Sequence, residues 1–199
     1  ATTGQPIHEL TRHTDTVNAV AWSPDSTHIL TGSNDGSAHI WDATTGQPIH
    51  ELTRHTDTVN AVAWSPDSTH ILTGSDDGSA HIWDATTGQP IHELTRHTDT
   101  VNAVAWSPDG TRILTGNSNG TAHIWNATTR QPIHELTGHT NWIHSVAWSP
   151  DSTHILTGSD DGTTRIWNAT TGQPIHELTG HTNWIQSVAW SPDGTHILT

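Results

Sequence analysis

The chain repeats itself every 42 residues, and this period limits its possible folds more than any other feature. Counted from residue 1, the repeats are 1-42, 43-84, 85-126, 127-168 and the shorter 169-199. The first two repeats differ at one position only, Asn34 against Asp76. Tryptophan marks the period in two series: Trp22, Trp64, Trp106, Trp148, Trp190 and Trp41, Trp83, Trp125, Trp167. Because such units pack on their neighbours, residues 1-199 are predicted to be a single repeat array.

Within one repeat, short apolar segments alternate with turn residues, and no helical period is present. In the second repeat, 49–53 alternates apolar and polar residues, 59–64 is the most apolar run, and 70–73 and 80–83 follow. Asp77-Gly78 is a strong signal for a two-residue hairpin. The pattern predicts an all-β unit of four short antiparallel strands, in which 59–64 is the most buried strand.

Several motifs of the unit resemble the WD40 repeat, and the likeness covers the whole chain. In the second repeat they are His55, Trp64-Ser-Pro-Asp67, Gly74-Ser-Asp-Asp-Gly78 and Ile82-Trp83-Asp84. The resemblance implies a β-propeller whose blades are four-stranded antiparallel sheets. It also implies that each repeat begins with the outer strand of the preceding blade, and that the apolar run lines a central channel.

The same resemblance implies a buried hydrogen-bond network in each blade, formed by a loop His, a strand Thr or Ser, a hairpin Asp and a Trp. It places this network at His13, His55, His97, His139 and His181, at Thr31, Thr73, Thr115 and Thr157, at Asp35, Asp77 and Asp161, and at Trp41, Trp83, Trp125 and Trp167. Although an Asp-His-Thr set resembles a hydrolase triad, its recurrence in every blade indicates a structural role. We therefore predict no catalytic residue. Because Asn119 replaces the hairpin Asp in the third repeat, that blade is expected to be the weakest.

One cluster of positions varies between otherwise near-identical repeats. It comprises Asp15, Thr16, Asn18, Asp57, Thr58, Asn60, Asp99, Thr100, Asn102, Asn141, Trp142, His144, Asn183, Trp184 and Gln186. In WD40 propellers this region opens on the top face around the channel, so the cluster is predicted to bind a protein or peptide partner. Trp142 and Trp184 are either binding anchors or packing residues over the next blade, together with Ile143 and Ile185. A second variable set is interpreted as neutral drift at hairpin tips: Asn34, Asp76, Ser118, Asp160.

Composition argues against several classes of partner. The formal charge is −14, from six basic and twenty acidic residues, with neutral His. Nucleic acid and anionic lipid are therefore disfavoured as partners. No apolar stretch approaches the ~20 residues that span a bilayer, so no membrane partner is predicted. The chain has no cysteine and no GxxxxGK[ST] stretch, and we expect a cytoplasmic protein without cofactors.

Histidine is unusually frequent, with eighteen in the chain. Thirteen lie outside the predicted network, many at positions equivalent to His8, His28 and His39. We expect these to be solvated strand positions. Two alternatives stay open: imidazoles on adjacent strands can chelate a transition metal, and protonation of the eighteen would make the protein respond to mild acid. No metal site is predicted.

The array is expected to form an incomplete or oligomer-completed ring. Residues 6–10 are predicted to be the outer strand of a missing blade, and residues 185–199 to supply two inner strands of a fifth. Chains are therefore expected to form homo-oligomers by strand or blade complementation. The leading functional hypothesis is a non-catalytic interaction scaffold or sensor. The alternatives are a ligand-free structural or engineered repeat and, more weakly, a propeller that binds glycan or metal.

Overall fold

The structure, a computed structural model, describes residues 5–95 and 97–199. The described residues form strands and no helix. They therefore contain no helix that could cross a bilayer. In chain order the strands are β1 (Val17–Trp22), β2 (His28–Ser33), β3 (Ala38–Asp42), β4 (Pro48–Leu52), β5 (Val59–Trp64), β6 (His70–Ser75), β7 (Ala80–Asp84), β8 (Pro90–Leu94), β9 (Val101–Trp106), β10 (Arg112–Asn117), β11 (Ala122–Asn126), β12 (Pro132–Leu136), β13 (Ile143–Trp148), β14 (His154–Ser159), β15 (Thr164–Asn168), β16 (Pro174–Leu178), β17 (Ala189–Trp190) and β18 (Ile197–Leu198).

The strands form four antiparallel four-stranded sheets and one two-stranded sheet, which are the blades of a propeller. In the second blade the order is β5-β6-β7-β8, with Trp64 opposite Ile71 and Ile71 opposite Trp83. The innermost strands β1, β5, β9 and β13 contact one another in sequence. The predicted all-β fold with four-stranded antiparallel blades is confirmed.

Turn chemistry fixes the two ends of each blade. The top face carries the β2–β3 hairpins, where the Asn34 N–H donates to the Thr16 carbonyl of the preceding loop. The bottom face carries the turn between the first and second strands of each blade, and this turn places one residue in the left-handed region. That residue is Ser68 (φ 61°) in the second blade and Gly110 (φ 70°) in the third. Serine can adopt this conformation, but its Cβ makes it strained, whereas glycine has no Cβ and adopts it freely.

Blades pack through apolar layers repeated along the array. Between the first two blades, Leu30, Ile40 and Leu52 pack against Val59, Ile71 and Trp83. The approach is close at one backbone point, because a Cβ at Gly32 would lie 2.8 Å from Val59 Cγ1. The four tryptophans Trp41, Trp83, Trp125 and Trp167 are each 1% exposed.

The burial expected for the innermost strand is wrong. In the second blade β5 is only half-buried along its middle, whereas β6 and β7 are almost fully buried. The reason is geometric: the innermost strand borders the channel, while the two middle strands are covered on both sides by neighbouring blades. The apolar content of 59–64 therefore predicted that these residues form a strand, but it did not predict how deeply the strand is buried.

The ring is not closed by the described residues. Trp22 and Val20 of the first blade are 61% and 71% exposed, whereas the equivalent Trp64 in the second blade is 8% exposed. Residues 6–10 were expected to form an outer strand, but they form none. An outer strand pairs with the third strand of its own blade, and the described residues include no such partner for 6–10. In the fifth unit only β17 and β18 pair.

Candidate functional site

The variable loops and hairpin tips meet on the top face around the channel. The first residue of each hairpin donates to the adjacent loop: the Asp76 N–H donates to the Thr58 carbonyl, and the Asp160 N–H donates to the Trp142 carbonyl. A cavity of about 720 Å³ opens between the blades and is lined by Asn18, Asp57, Asn60, Asp76, Thr100, Asn102, Trp142, His144 and Gln186. Residues from all five repeats thus contribute to one concave surface. We call this surface the rim, together with the neighbouring loop residues that do not line the cavity, Asp15, Asp99, Asn141, Asn183 and Trp184.

The hairpin tips belong to the rim and pair with it. Asn18 Nδ2 donates to Asn34 Oδ1 at 2.6 Å, and Asn60 Nδ2 donates to Asp76 Oδ1 at 2.7 Å. In the fourth blade the pair is His144 Nε2 and Asp160 Oδ1, 2.9 Å apart. The hairpin tips Asn34, Asp76 and Asp160 therefore contact the rim. The interpretation of Asn34, Asp76, Ser118 and Asp160 as neutral drift stays a prediction.

The rim asparagines also have a structural contact. Asn18 and Asn60 Nδ2 lie 3.4 Å and 3.5 Å from the carbonyls of Val59 and Val101, the first innermost-strand residues of the next blades. Asn102 makes the same bond to Ile143 at 3.3 Å. These three side chains bridge neighbouring blades, so only part of their polar capacity faces the cavity.

The two rim tryptophans are exposed, whereas the isoleucines after them are buried. Trp142 is 48% exposed and Trp184 63%, against 0% for Ile143 and 3% for Ile185. The packing alternative therefore describes the isoleucines and not the tryptophans. The Trp142 ring lies 5.9 Å from that of His144. The equivalent positions of the first three repeats carry threonine, so the rim has an aromatic part and a polar part.

The polar part of the rim is acidic. Asp15, Asp57 and Asp99 are exposed, and each carboxylate accepts the backbone N–H of the following threonine. Asn141 and Asn183 make the same bond to the N–H of the following tryptophan without the charge. The change from Asp-Thr to Asn-Trp thus keeps the local turn while it exchanges a negative charge for an aromatic surface.

Beneath the rim, the structure brings His, Thr, Asp and Trp together in three blades. In the second blade His55 Nδ1 lies 2.9 Å from Asp77 Oδ2, His55 Nε2 lies 2.7 Å from Thr73 Oγ1, and Trp83 Nε1 donates to Thr73 Oγ1 at 3.0 Å. Equivalent contacts link His13, Asp35, Thr31 and Trp41, and His139, Asp161, Thr157 and Trp167.

These bonds fit a neutral imidazole. The threonine oxygen accepts the indole N–H and can donate its own hydrogen to His Nε2, while His Nδ1–H donates to the carboxylate. Burial lowers the pKa of His55, with the neighbouring Asp77 opposing the shift. Thr73 is fully buried, so no substrate has access to its hydroxyl. The likeness to a catalytic triad therefore stops at the bonding pattern.

The third blade does not form the network expected for His97. Asn119 Oδ1 accepts the Thr121 N–H at 2.9 Å, and Asn119 Nδ2 turns to Thr98 Oγ1 at 3.2 Å. An amide nitrogen cannot accept the His97 N–H, as a carboxylate oxygen does in the other blades. Among the described residues neither ring nitrogen of His97 has a hydrogen-bond partner. Burial lowers the pKa of His97 to about 3. Trp125 still donates to Thr115 at 3.1 Å.

His181, in the fifth repeat, contacts Thr199 Oγ1 at 2.8 Å through Nε2. Thr199 is the counterpart of Thr157, so the described residues place the fifth network histidine beside its threonine.

A second layer of histidines is buried, contrary to the expectation of solvated positions. His39, His81 and His123 are 3%, 5% and 6% exposed. The ring of His39 stands edge-on to that of His13, with centroids 4.5 Å apart, and His81 lies 4.8 Å from His55. Burial and the adjacent His55 lower the pKa of His81 to about 4. The described residues contain no cluster of three or more ligands suited to a metal.

Comparison with protein families assigns the chain. The family model described as WD domain, G-beta repeat matches residues 4–42, 46–84, 88–126, 130–168 and 172–199. The chain therefore belongs to the WD40-repeat family. WD40 domains generally bind protein partners and are generally non-catalytic scaffolds.

Proposed function

We propose that the chain is an interaction scaffold whose rim binds a protein or peptide on the top face. The exposure of Trp142 and Trp184 carries this proposal, because exposed large aromatic side chains are typical binding anchors. Trp142 also lines the cavity. Four other tryptophans are only 1% exposed, so aromatic exposure is not a general property of the repeat.

The two parts of the rim define the chemistry of the partner. An apolar side chain suits the surface of Trp142 and Trp184. Hydrogen-bond donors or cations suit the carboxylates of Asp57 and Asp99 on the opposite part. The formal charge of −14 favours approach of a basic segment and makes its association rate sensitive to salt. The expected partner is therefore a basic peptide segment that carries an apolar anchor.

A displayed peptide library selected on the immobilised chain tests this proposal. The double variant Trp142→Thr, Trp184→Thr installs the threonine of the first three repeats and should weaken selected peptides by at least ~10-fold, since an anchor contributes about 2 kcal/mol. Ile49→Thr, at an exposed position of the outer strand β4, is the control and should leave binding unchanged. Equal affinity for the parent and the double variant contradicts the proposal. Failure to select any saturable peptide favours a ligand-free repeat.

We also propose self-association through the exposed face of the first blade. Val20 and Trp22 present a surface whose equivalents in the second blade pack against a neighbour. A second copy offers the same complementary layer, so contact is expected in the manner of adjacent blades. Light scattering should give a native mass that is a small multiple of 21.5 kDa, reduced by Trp22→Ser. A monomeric parent chain contradicts this proposal.

A further inference from the structure

A groove of about 410 Å³ lies on the bottom face between the second and third blades. The second blade contributes Pro66, His70 and Ile82, and the third blade contributes Trp106, Gly110 and Arg130. Because the blades are nearly identical, the equivalent positions at the other blade boundaries serve as internal references for this groove.

The first difference is a missing serine bridge. Between the first two blades the Asp25 N–H donates to Ser68 Oγ at 3.4 Å, and between the third and fourth the Asp109 N–H donates to Ser152 Oγ at 3.2 Å. Gly110 occupies the equivalent position in the groove and has no hydroxyl. The two turns that border the groove are therefore not tied together.

The second difference is from the boundary between the third and fourth blades, where a long side chain occupies the space. Between the third and fourth blades Arg112 donates to the carbonyls of Ala169 at 2.9 Å and Ser152 at 2.6 Å. Its guanidinium lies 4.8 Å from the centre of the Trp148 ring. In the groove the shorter His70 holds that place, with its ring 6.2 Å from that of Trp106, as His28 does beside Trp64 at the first boundary. The space that Arg112 occupies at the next boundary is open here.

The third difference is an arginine at the edge of the groove. Arg130 stands where the other loops have glycine, and it adopts φ 61°. A Cβ at the equivalent Gly88 would lie 2.8 Å from His50 Cγ, whose ring donates to the Thr86 carbonyl at 2.8 Å. Among the described residues His92, the counterpart of His50, makes no such bond. Arg130 therefore takes the place of a packed imidazole.

The guanidinium of Arg130 has unused bonding capacity. Its Nε is buried without a partner, and it forms no ion pair with any described residue. A non-glycine residue in left-handed conformation costs stability, and the other three loops avoid that cost with glycine. Gly110, whose position carries glycine again only at Gly194, and Arg130, which stands alone among the loop glycines, thus meet in one groove. Gly110 opens space there, and Arg130 supplies an unpaired cation.

We propose that this groove binds a small organic acid with one carboxylate and a flat apolar body. The planar guanidinium of Arg130 matches a carboxylate, while Trp106, His70 and Ile82 offer flat and apolar contact. The carboxylates of Asp67 and Asp109 also border the groove, so a second negative charge on the ligand is disfavoured. The site lies on the opposite face from the rim and does not depend on the function proposed for it.

Titration of the ¹⁵N-labelled chain with phenylacetate tests the site through the indole N–H signals. The Trp106 signal, assigned with Trp106→Phe, should shift saturably, while those of Trp64 and Trp148 at the reference boundaries should stay. Phenylacetamide, which lacks the charge, should bind at least ~10-fold more weakly. A non-saturable shift, or equal shifts at the three tryptophans, overturns the proposal.

Two variants take residues from neighbouring repeats and so keep the local turns. Gly110→Ser restores the serine bridge, and Arg130→Gly removes the cation; each should lower affinity by at least ~10-fold with an unchanged circular dichroism spectrum. Ser152→Gly, at the boundary that Arg112 fills, is the matched control and should create no second site. Unchanged phenylacetate affinity in the Gly110→Ser, Arg130→Gly double variant overturns the proposal.

Discussion

The second and third blades have the same strands and register, yet only the second has a complete polar network. Trp83 faces Ile71 and Trp125 faces Ile113 in equivalent pairs. His55 is bonded on both nitrogens, whereas His97 is bonded on neither within the described residues. The comparison teaches that turns and apolar packing suffice to form the blade. The network is a separate layer, and one hairpin side chain determines whether it closes.

The largest effect is expected from removing the threonine hydroxyl at the centre of the network. Thr73→Val leaves both the Trp83 N–H and His55 Nε2 buried without partners, which should cost about 3 kcal/mol of unfolding free energy. Thr115→Val in the third blade removes only the acceptor of Trp125 and should cost about half as much. Urea unfolding of the two isosteric variants measures the difference. Equal losses would mean that His97 is bonded in solution.

The next largest effect is expected from acid, which should lower the unfolding free energy through His97 in the third blade. Because burial lowers the pKa of His97 to about 3, the unfolded chain, with a His pKa near 6.5, binds a proton that the folded chain rejects. Stability from this group is complete above pH 6.5 and falls as the pH drops toward 3. The loss between pH 7 and pH 5 is about 2 kcal/mol by linkage.

His97→Phe should remove that part of the acid sensitivity. The slope of unfolding free energy against pH should then fall by about one proton between pH 6 and pH 4. An unaltered slope in His97→Phe would show that another group, such as His81, dominates the acid response.

A repair of the network should have a moderate effect. Asn119→Asp restores an oxygen able to accept from both His97 and the Thr98 N–H, as Asp77 accepts the Thr56 N–H at 3.0 Å in the second blade. Stability at pH 7 should rise by about 1 kcal/mol, the net contribution of a charge-assisted hydrogen bond after desolvation. The reciprocal Asp77→Asn should lose at least as much. A neutral outcome for both would separate the network from stability.

Local patterns in the sequence predict the strands and turns because these depend on neighbouring residues. The alternation in 49–53 and the Asp77-Gly78 hairpin are examples. Residues 49–53 overlap strand β4, and Asp77-Gly78 lies in the turn between β6 and β7. The 42-residue period adds the contact between blades. The family resemblance, rather than the residues alone, supplied the top-face location of the rim.

The burial of His39 and the pairing of hairpin tips could not be predicted this way. In Ala38-His39-Ile40-Trp41 the histidine is the one polar residue, and its polarity suggests that His39 faces solvent. Its burial comes from the loop that carries His13, 26 positions earlier, whose ring covers it. Asn18 and Asn34 likewise meet only because β1 and β2 pair. Such contacts depend on the register of folded strands, which composition and period leave undetermined.

The smallest effect on stability is expected from a rim substitution in the third blade, where it can be compared with the network substitution Asn119→Asp. In the second blade Asn60 donates to Asp76 at the hairpin tip. The third blade lacks this pair, because Ser118 stands at the position equivalent to Asp76. Ser118→Asp should restore a bond to Asn102, yet stability should change by no more than about 0.5 kcal/mol because the pair is at the surface. Binding of a rim peptide, measured by calorimetry, should change more than stability does. A stability gain as large as that of Asn119→Asp would instead mean that the tips support the blade, and that their variation reflects folding rather than recognition.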